Sequence, residues 1–509
     1  MEDKKVRRSR LVRLLSGAAV TALAALGTGG AALAPAAAAT AVQVVPFATG
    51  HVLAAGHLGA PPTTAQCETQ FKIACYQVFQ LQAAYNLAPL FAKGVEGQGS
   101  TIAIVDAFGS PSIASDLKTF DAAEGLPNPP SFKVITPAGP ITTTPKTCTS
   151  AYSPGKPDLC SDFYGWTDET SLDVEWAHAM APKANILLVE TPMTETEGIY
   201  GFPQIVQAEN YVINHHLADV ITQSFGATEG TFTSPGQIYS LRSAYYNAAR
   251  HGVTVLAASG DQGSTDDICS PASGCADPNN VICCASTPSA DWPSTDPLVT
   301  GVGGTQLHLN ANGQRTAPDS VWDDLSSTVG VTGPVYTWGA SGGGLSQVFS
   351  RPGFQNGVAR SVGSSRGTPD ISMSAAVNGA VDFYDTTDPG VAGWGIVGGT
   401  SEASPLFSGI VALADQVAGQ RLGDLNPSLY ALARAGSRSG IVPISQGTNT
   451  YIFCPVANTN SDDSCAASSD LVTVPGSTAN GAYNNATGWG TVNAAKFVPA
   501  LAHVAGGGY

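Results

Sequence analysis

The sequence predicts an α/β fold in which a parallel β-sheet carries helices on both faces. Short apolar segments that predict strands lie at 100–107, 184–191, 218–225 and 253–259. Their near-continuous apolar character is typical of parallel strands that are buried on both faces. Segments with helical periodicity lie between the strands, at 166–181, 203–216 and 236–250. This alternation implies a parallel sheet that is covered on both faces.

The 509 residues show no internal repeat and no Pro/Ser-rich linker, which indicates one large domain at 71–507. Residues 1–39 begin with the basic stretch "KKVRRSRLVR" and continue as an uncharged run that ends in "APAAAAT". This order is typical of a secretory signal peptide. An uncleaved membrane anchor is the alternative, since the run is long enough to span a bilayer. Residues 40–70 form a short N-terminal extension.

Charge and cysteine content both suit a secreted protein. The net charge is −16 and the isoelectric point is near 4.8, which argues against a nucleic-acid or anionic-membrane partner. Ten cysteines, an even number, indicate disulfides that pin long loops in an oxidising compartment. A zinc site is the alternative, but no histidine lies near the cysteine cluster at ligand spacing.

Three cysteine pairs are close enough in sequence to close short loops: Cys67–Cys75, Cys148–Cys160 and Cys454–Cys465. The connectivity among the remaining four stays open: Cys269, Cys275, Cys283 and Cys284.

Two acids fall on the apolar face of the helix predicted at 166–181. At about 100° per residue, Asp173 lies about 40° from Glu169, and Trp166 and Trp176 share the same stripe. Two carboxyl groups buried this close cannot both ionise easily, so one of them holds a proton. The alternative is a chance pair on a solvated face, but acids are seldom buried without a partner.

A serine and a third acid lie in glycine-flanked turns. In "GGTSEASP", Ser401 stands in G-T-S-x-x-x-P, just before a helix predicted at 405–418. Its neighbour Glu402 is interpreted as a solvated loop acid; the alternative is an acid that perturbs Ser401 or disfavours acidic residues in a substrate. In "SGDQG", Asp261 follows a strand end, where functional groups of parallel sheets gather; an ordinary turn aspartate is the alternative.

As an ordered set, these motifs resemble those of the sedolisin family, the serine-carboxyl peptidases. The similarity continues in "AIVDAFGSP" (103–111), "DWPSTDPLVTGVGGT" (291–305), "SGGGLSQVFSRPGFQ" (341–355), "RGTPDIS" (366–372) and "LNPSLYAL" (425–432). It covers about 70–507 and implies a subtilisin-like fold. By this resemblance Ser401 is the nucleophile, Glu169 the general base, Asp173 the residue that orients Glu169, and Asp261 part of the oxyanion hole.

The resemblance also implies a secreted serine-type endopeptidase or tripeptidyl-peptidase that is most active in acid. Its partners are polypeptide substrates, with no nucleic acid and no membrane after signal removal, and we expect a monomer. Family members often carry a long activation prodomain, so residues 40–70 are a vestigial propeptide or the protein folds without that aid.

The family's calcium site is altered in this sequence, so no metal or other cofactor is expected. Pro443 and Asn484 stand where the family motifs have aspartates. Calcium prefers several oxygen ligands with carboxylate charge, and the sequence therefore predicts no tightly bound calcium.

Two other interpretations remain at this stage. Asp106 lies where a subtilisin-type triad has its acid, but the sequence has no H-G-T-H motif to supply the histidine. A catalytically weak or inactive, secreted binding protein on a protease scaffold is the non-enzymatic alternative.

Overall fold

The computed structural model describes residues 52–56, 58–142, 159–192, 201–266, 287–324, 339–453 and 472–506. The helices in these ranges are α1 Thr64–Gln70, α2 Val78–Ala84, α3 Ala88–Phe91, α4 Ile113–Glu124, α5 Leu159–Met180, α6 Phe202–Asn214, α7 Pro235–Leu241, α8 Ser243–His251, α9 Ala359–Val362, α10 Thr400–Ala418, α11 Asn426–Ala433 and α12 Ala494–Ala505.

The strands in these ranges are β1 Val52–Gly56, β2 Cys75–Tyr76, β3 Thr101–Ala107, β4 Phe132–Ile135, β5 Asn185–Thr191, β6 Val220–Gln223, β7 Ala227–Thr228, β8 Thr254–Ala258, β9 Asp291–Trp292, β10 Thr300–Gln306, β11 Ser320–Val321, β12 Gly344–Ser350, β13 Ser365–Thr368, β14 Ile371–Ser374, β15 Ala380–Asp385, β16 Gly393–Val397, β17 Ile441–Val442, β18 Tyr451–Phe453, β19 Val472–Val474 and β20 Thr491–Val492.

The central sheet has eight strands and is mostly parallel. Seven strands follow the order β11-β10-β8-β6-β3-β5-β4, and β14 also pairs with β10. Only the pair of β10 and β11 is antiparallel in this sheet. The four strands predicted from the sequence correspond to β3, β5, β6 and β8. The predicted α/β fold, with a sheet of mostly parallel strands, is therefore confirmed.

Helices cover both faces of this sheet. Successive side chains of β3 point to opposite faces, and because nearly all of them are buried, both faces need a covering layer. Ile102 and Ile104 belong to a core shared with α5, α10 and α12. Ala103 and Val105 point to the opposite face and belong to a second core with α6 and α8. The parallel strands therefore form an apolar middle layer, and their carboxyl ends lie along one edge.

Three predicted helices differ from the structure by more than two residues at one end or are divided, whereas α6 lies within two residues of its predicted bounds. Helix α5 begins at Leu159, seven residues before the predicted start, and runs to Met180. The helix predicted at 236–250 is divided into α7 and α8 at Arg242, whose Nε and Nη2 donate to Asp296 at 2.5 and 2.9 Å. Helix α10 begins at Thr400, five residues before the predicted start.

A second sheet has the order β1-β16-β15-β2 and includes β16, the strand that leads into α10. Strand β1 pairs antiparallel with β16, and β16 ends three residues before Thr400. The predicted Cys67–Cys75 disulfide is formed, with a sulfur–sulfur distance of 2.02 Å. It ties α1 to β2.

Other predictions fall outside the described side chains. These are the signal peptide at 1–39 and the remaining cysteine pairs at 148–160, 269–284 and 454–465. Within the ranges given above, no helix has both the length and the apolar character needed to cross a bilayer.

Candidate active site

Ser401 lies in the first turn of α10, not in a loop before that helix. Gly399 precedes the helix with φ +122°, a backbone conformation that favours glycine. The sequence-based start at Pro405 was wrong because proline is common at the first position of a helix. Here Pro405 lies inside the helix instead.

Pro405 leaves the carbonyl of Ser401 without its helical hydrogen bond, because proline has no N–H to donate to residue i−4. The Ser224 hydroxyl lies 3.3 Å from this carbonyl oxygen. In return, the Ser401 Oγ donates to the Ser224 carbonyl at 3.3 Å. The proline of G-T-S-x-x-x-P therefore leaves room for a reciprocal contact between the serine and the end of β6.

The acid pair predicted on α5 is buried beside this contact. Glu169 and Asp173 are both 0% exposed. The Ser224 Oγ donates to Asp173 Oδ1 at 2.8 Å, so Ser224 connects Asp173 with Ser401. The prediction that both acids are buried is confirmed, and the alternative of a solvated pair is wrong.

Asp106 adds a third carboxyl group to the pair. Burial raises the pKa of Asp173 well above its usual value, and the neighbouring Asp106 and Glu169 raise it further. Burial likewise raises the pKa of Asp106 to about 7, and a nearby Thr170 hydroxyl opposes that shift. Two adjoining carboxyl groups attract each other only when one is protonated. The cluster therefore holds at least one proton in acid.

Asp261 contacts helix α10 through hydrogen bonds with Thr400. The Thr400 backbone N–H and its hydroxyl both donate to Asp261 Oδ1, each at 2.7 Å. The Thr400 hydroxyl also accepts from the Gly260 N–H at 3.1 Å. As predicted, Asp261 lies in the loop after β8, and this set of hydrogen bonds holds it against the first turn of α10.

Glu402 is buried, so its interpretation as a solvated loop acid was wrong. The earlier start of α10 turns this side chain into the protein, where it is 0% exposed. Burial raises the pKa of Glu402 well above its usual value, and the charge of Asp261 acts in the same direction.

Three residues of this region were not assigned to it from the sequence. Asp106 was considered only as the acid of a histidine triad, and Ser224 and Thr400 were not considered as site residues. Asp106 and Ser224 lie at the carboxyl ends of β3 and β6. Functional groups gather at these ends of parallel strands, so the observation that indicated Asp261 also applies to both residues. No comparable signal marks Thr400.

The altered calcium motif does not fit a calcium ion. Pro443 offers no carboxylate, and the Ile444 carbonyl accepts the Gly481 N–H at 2.8 Å. Asn484 Oδ1 accepts the N–H groups of Ala486 and Thr487, both at 3.0 Å. Among the described residues, no group of three or more His, Cys, Asp or Glu side chains is arranged to hold a metal ion.

Comparison with known proteins extends these observations. A model of the subtilase family matches residues 164–428. Kumamolisin from Bacillus sp. (strain MN-32) is 30% identical over 348 residues, 67% of this chain and 53% of kumamolisin. Sedolisin from Pseudomonas sp. (strain 101) is 30% identical over 247 residues, 48% of this chain and 38% of sedolisin. The chain thus spans about half of the first relative and less of the second.

A third relative, tripeptidyl-peptidase SED1 from Arthroderma otae, is 31% identical over 248 residues, 43% of this chain and 34% of that protein. The solved structure of Pseudomonas sedolisin, a serine-carboxyl proteinase complexed with two molecules of pseudo-iodotyrostatin, shares the fold. Its TM-score is 0.62 at 23% identity, over 86% of this chain and 100% of that one. The chain belongs to the subtilase family and, within it, to the sedolisin family.

Proposed function

We propose that this protein is a secreted serine-carboxyl peptidase that hydrolyses peptide bonds in acid. Ser401 is the nucleophile, and Glu169 is the general base that takes its proton. Asp173 orients Glu169, and Asp261 donates to the oxyanion. The observation that supports this most directly is the contact of Ser224 with both Asp173 and Ser401, because it brings the acid helix and the serine helix to one point.

The chemistry follows from these positions. Glu169 accepts the Ser401 proton as the hydroxyl attacks the peptide carbonyl, and later returns it to the leaving amine. The first N–H groups of an α-helix lack a partner within the helix. The Ser401 N–H, in the first turn of α10, is therefore available to the oxyanion together with a protonated Asp261. Water then hydrolyses the acyl-enzyme.

An acid optimum follows from the protonation states that these roles need. Glu169 acts as a base only when ionised, which limits activity at the lowest pH. Asp173 and Asp106 share a proton, and its loss adds a second negative charge to a buried cluster. Activity therefore falls again as the pH rises towards neutrality.

The names of the relatives suggest two modes of cleavage. The name tripeptidyl-peptidase describes release of tripeptides by that relative, whereas kumamolisin and sedolisin carry no such word in their names. We propose polypeptides as the substrate class. Digestion of a peptide library across pH 2–8, with products assigned by mass spectrometry, separates tripeptide release from internal cleavage.

The test of the assignment is turnover by the wild type and two variants. We expect Ser401→Ala and Glu169→Gln to lose nearly all peptidase activity at every pH. Near-parental turnover by either variant shows that its residue has been given the wrong role. A plateau of wild-type activity above pH 8 contradicts the acid mechanism.

The non-enzymatic alternative has one observation in its favour. Ser401 is 0% exposed, so a substrate carbonyl reaches its hydroxyl only if surrounding groups move. An acylating probe or a peptide aldehyde distinguishes the two functions. Stoichiometric labelling of Ser401 in acid supports the peptidase, and failure of the wild type to react supports a binding protein.

A further inference from the structure

Thr400 makes two contacts to the same oxygen of Asp261. Its N–H and its hydroxyl both reach Oδ1 at 2.7 Å, and both residues are buried, at 0% and 1% exposure. The hydroxyl also lies 3.1 Å from the Gly260 carbonyl. Because a hydroxyl has one hydrogen and the Asp261 contact is shorter, the bond to Asp261 is the stronger one.

Two donors on one carboxyl oxygen decide which oxygen carries the acidic hydrogen. A proton on Oδ1 would face two donor hydrogens at once, those of the Thr400 N–H and of its hydroxyl, and a single donor opposes such a proton less strongly. In the neutral form of Asp261, Oδ1 is therefore the carbonyl oxygen and the hydrogen lies on Oδ2. Without the Thr400 hydroxyl, only the N–H opposes a proton on Oδ1, so that Asp261 presents Oδ1 as the donor in a larger fraction of molecules.

We infer that Thr400 is a positioning residue that fixes the proton of Asp261 on Oδ2, so that this oxygen is the one that donates to the oxyanion. The inference rests on the proposed function, because it concerns the hydrogen bond that Asp261 makes during acyl transfer. Preorganised donors are effective because they need no reorientation as charge develops.

Other titratable groups border Asp261 and affect how the site responds to pH. Glu402, on the same helix as Thr400, interacts electrostatically with Asp261. The Asp291 carboxylate lies against Gly260, the residue before Asp261. The kcat of each Thr400 variant is therefore compared with that of the wild type at the same pH.

The test compares Thr400→Val, which keeps the shape and the N–H but removes the hydroxyl, with Thr400→Ser, which keeps both donors. For Thr400→Val we expect kcat to fall about five- to tenfold with KM within about threefold, the loss typical of one hydrogen bond between uncharged groups. Thr400→Ser stays within about threefold of the wild type in kcat.

Thr222→Val is the matched control. The Thr222 hydroxyl bonds to the hydroxyl of Ser404 in α10 at 2.7 Å. The variant therefore removes a different buried hydroxyl that contacts the same helix. We expect this variant to keep kcat within about threefold of the wild type. Titration of reactive Ser401 with an acylating probe corrects all rates for the folded fraction.

Two results overturn the inference while the wild type remains active. One is a Thr400→Val variant with unchanged kcat, and the other is a Thr400→Ser variant that loses as much kcat as Thr400→Val, which indicates packing alone. An inactive wild type is a different result, because it removes the proposed function itself.

Discussion

At Ser224, one hydroxyl group serves both halves of the candidate site, and its removal is a sharp test of their connection. Ser224→Ala leaves Asp173 Oδ1 without its 2.8 Å donor. We expect kcat to fall about five- to hundredfold, since leaving a buried acceptor without its donor costs about 1–3 kcal/mol. The control is Ser408→Ala in α10, whose hydroxyl donates only within the helix, to the Pro405 carbonyl at 2.7 Å. Equal rates for the two variants contradict a role for Ser224.

At this scale, the sequence was sufficient for residues that carry a recognisable motif or period. Glu169 and Asp173 could be placed together because helical spacing fixes their separation. Glu402 could not be placed correctly, because its burial depends on where α10 begins. Thr400 has an unremarkable side chain, and its contact with Asp261 joins residues 139 positions apart. Only the folded chain reveals such a pair.

At the scale of elements, the close packing of α10 on α5 holds the serine beside the acids. A Cβ atom added at Gly409 would lie 2.5 Å from Met180 Cβ and 3.2 Å from the Ala177 carbonyl oxygen. We therefore expect Gly409→Ala to destabilise the protein by about 1–3 kcal/mol, despite the gain of about 1 kcal/mol that alanine brings to a helix. Peptidase activity falls as well, because the two helices separate.

The matched control for this substitution is Gly236→Ala in α7, where the nearest heavy atom to an added Cβ is 3.6 Å away. That variant is expected to be neutral or slightly stabilised. Urea midpoints are compared in a Ser401→Ala background, so that self-digestion of unfolded chains does not distort them. A stable and fully active Gly409→Ala protein shows that the interface tolerates the methyl group.

The sequence indicated these elements better than it indicated their ends. Apolar runs identified β3, β5, β6 and β8, because burial on both faces leaves a clear pattern. Pro405 misled the prediction of α10, since this proline lies inside the helix and not at its first position. The break between α7 and α8 falls at Arg242, and the ion pair of this residue with Asp296 joins residues 54 positions apart.

At the scale of the whole molecule, long-range pairing was beyond the sequence. Residues 75–76 pair with residues 380–381, and residues 52–56 pair with the strand that leads into α10. These strands are short, and single short strands carry too little periodicity to indicate a partner. The parallel core could be predicted, whereas the second sheet could not.

The degenerate calcium motif gives a prediction for the stability of the molecule. We expect excess EDTA and millimolar calcium to give the same melting temperature and the same activity. A site of micromolar affinity would add about 4 kcal/mol of stability at millimolar calcium, because a ligand that binds only the folded state stabilises it. A calcium-dependent rise of the melting temperature by several degrees contradicts the loss of the site.

The buried acids make the stability of the whole protein depend on pH, and Glu209 offers the clearest test. Burial raises the pKa of Glu209 in α6 to about 8, and burial raises the pKa of Glu190 to about 7. The folded state therefore binds more protons than the unfolded chain above about pH 4. The stability that these two neutral carboxyl groups contribute is fully present below that pH and is lost as the pH rises through 7 and 8.

Glu209→Gln removes one of these titrations. We expect it to reduce the fall in unfolding free energy between pH 4 and 8 by on the order of 4 kcal/mol. Urea unfolding at both pH values, in the Ser401→Ala background, measures this fall. The exposed Glu68→Gln serves as control and should leave it unchanged, and a Glu209→Gln protein with the parental pH dependence shows that the carboxyl group titrates normally.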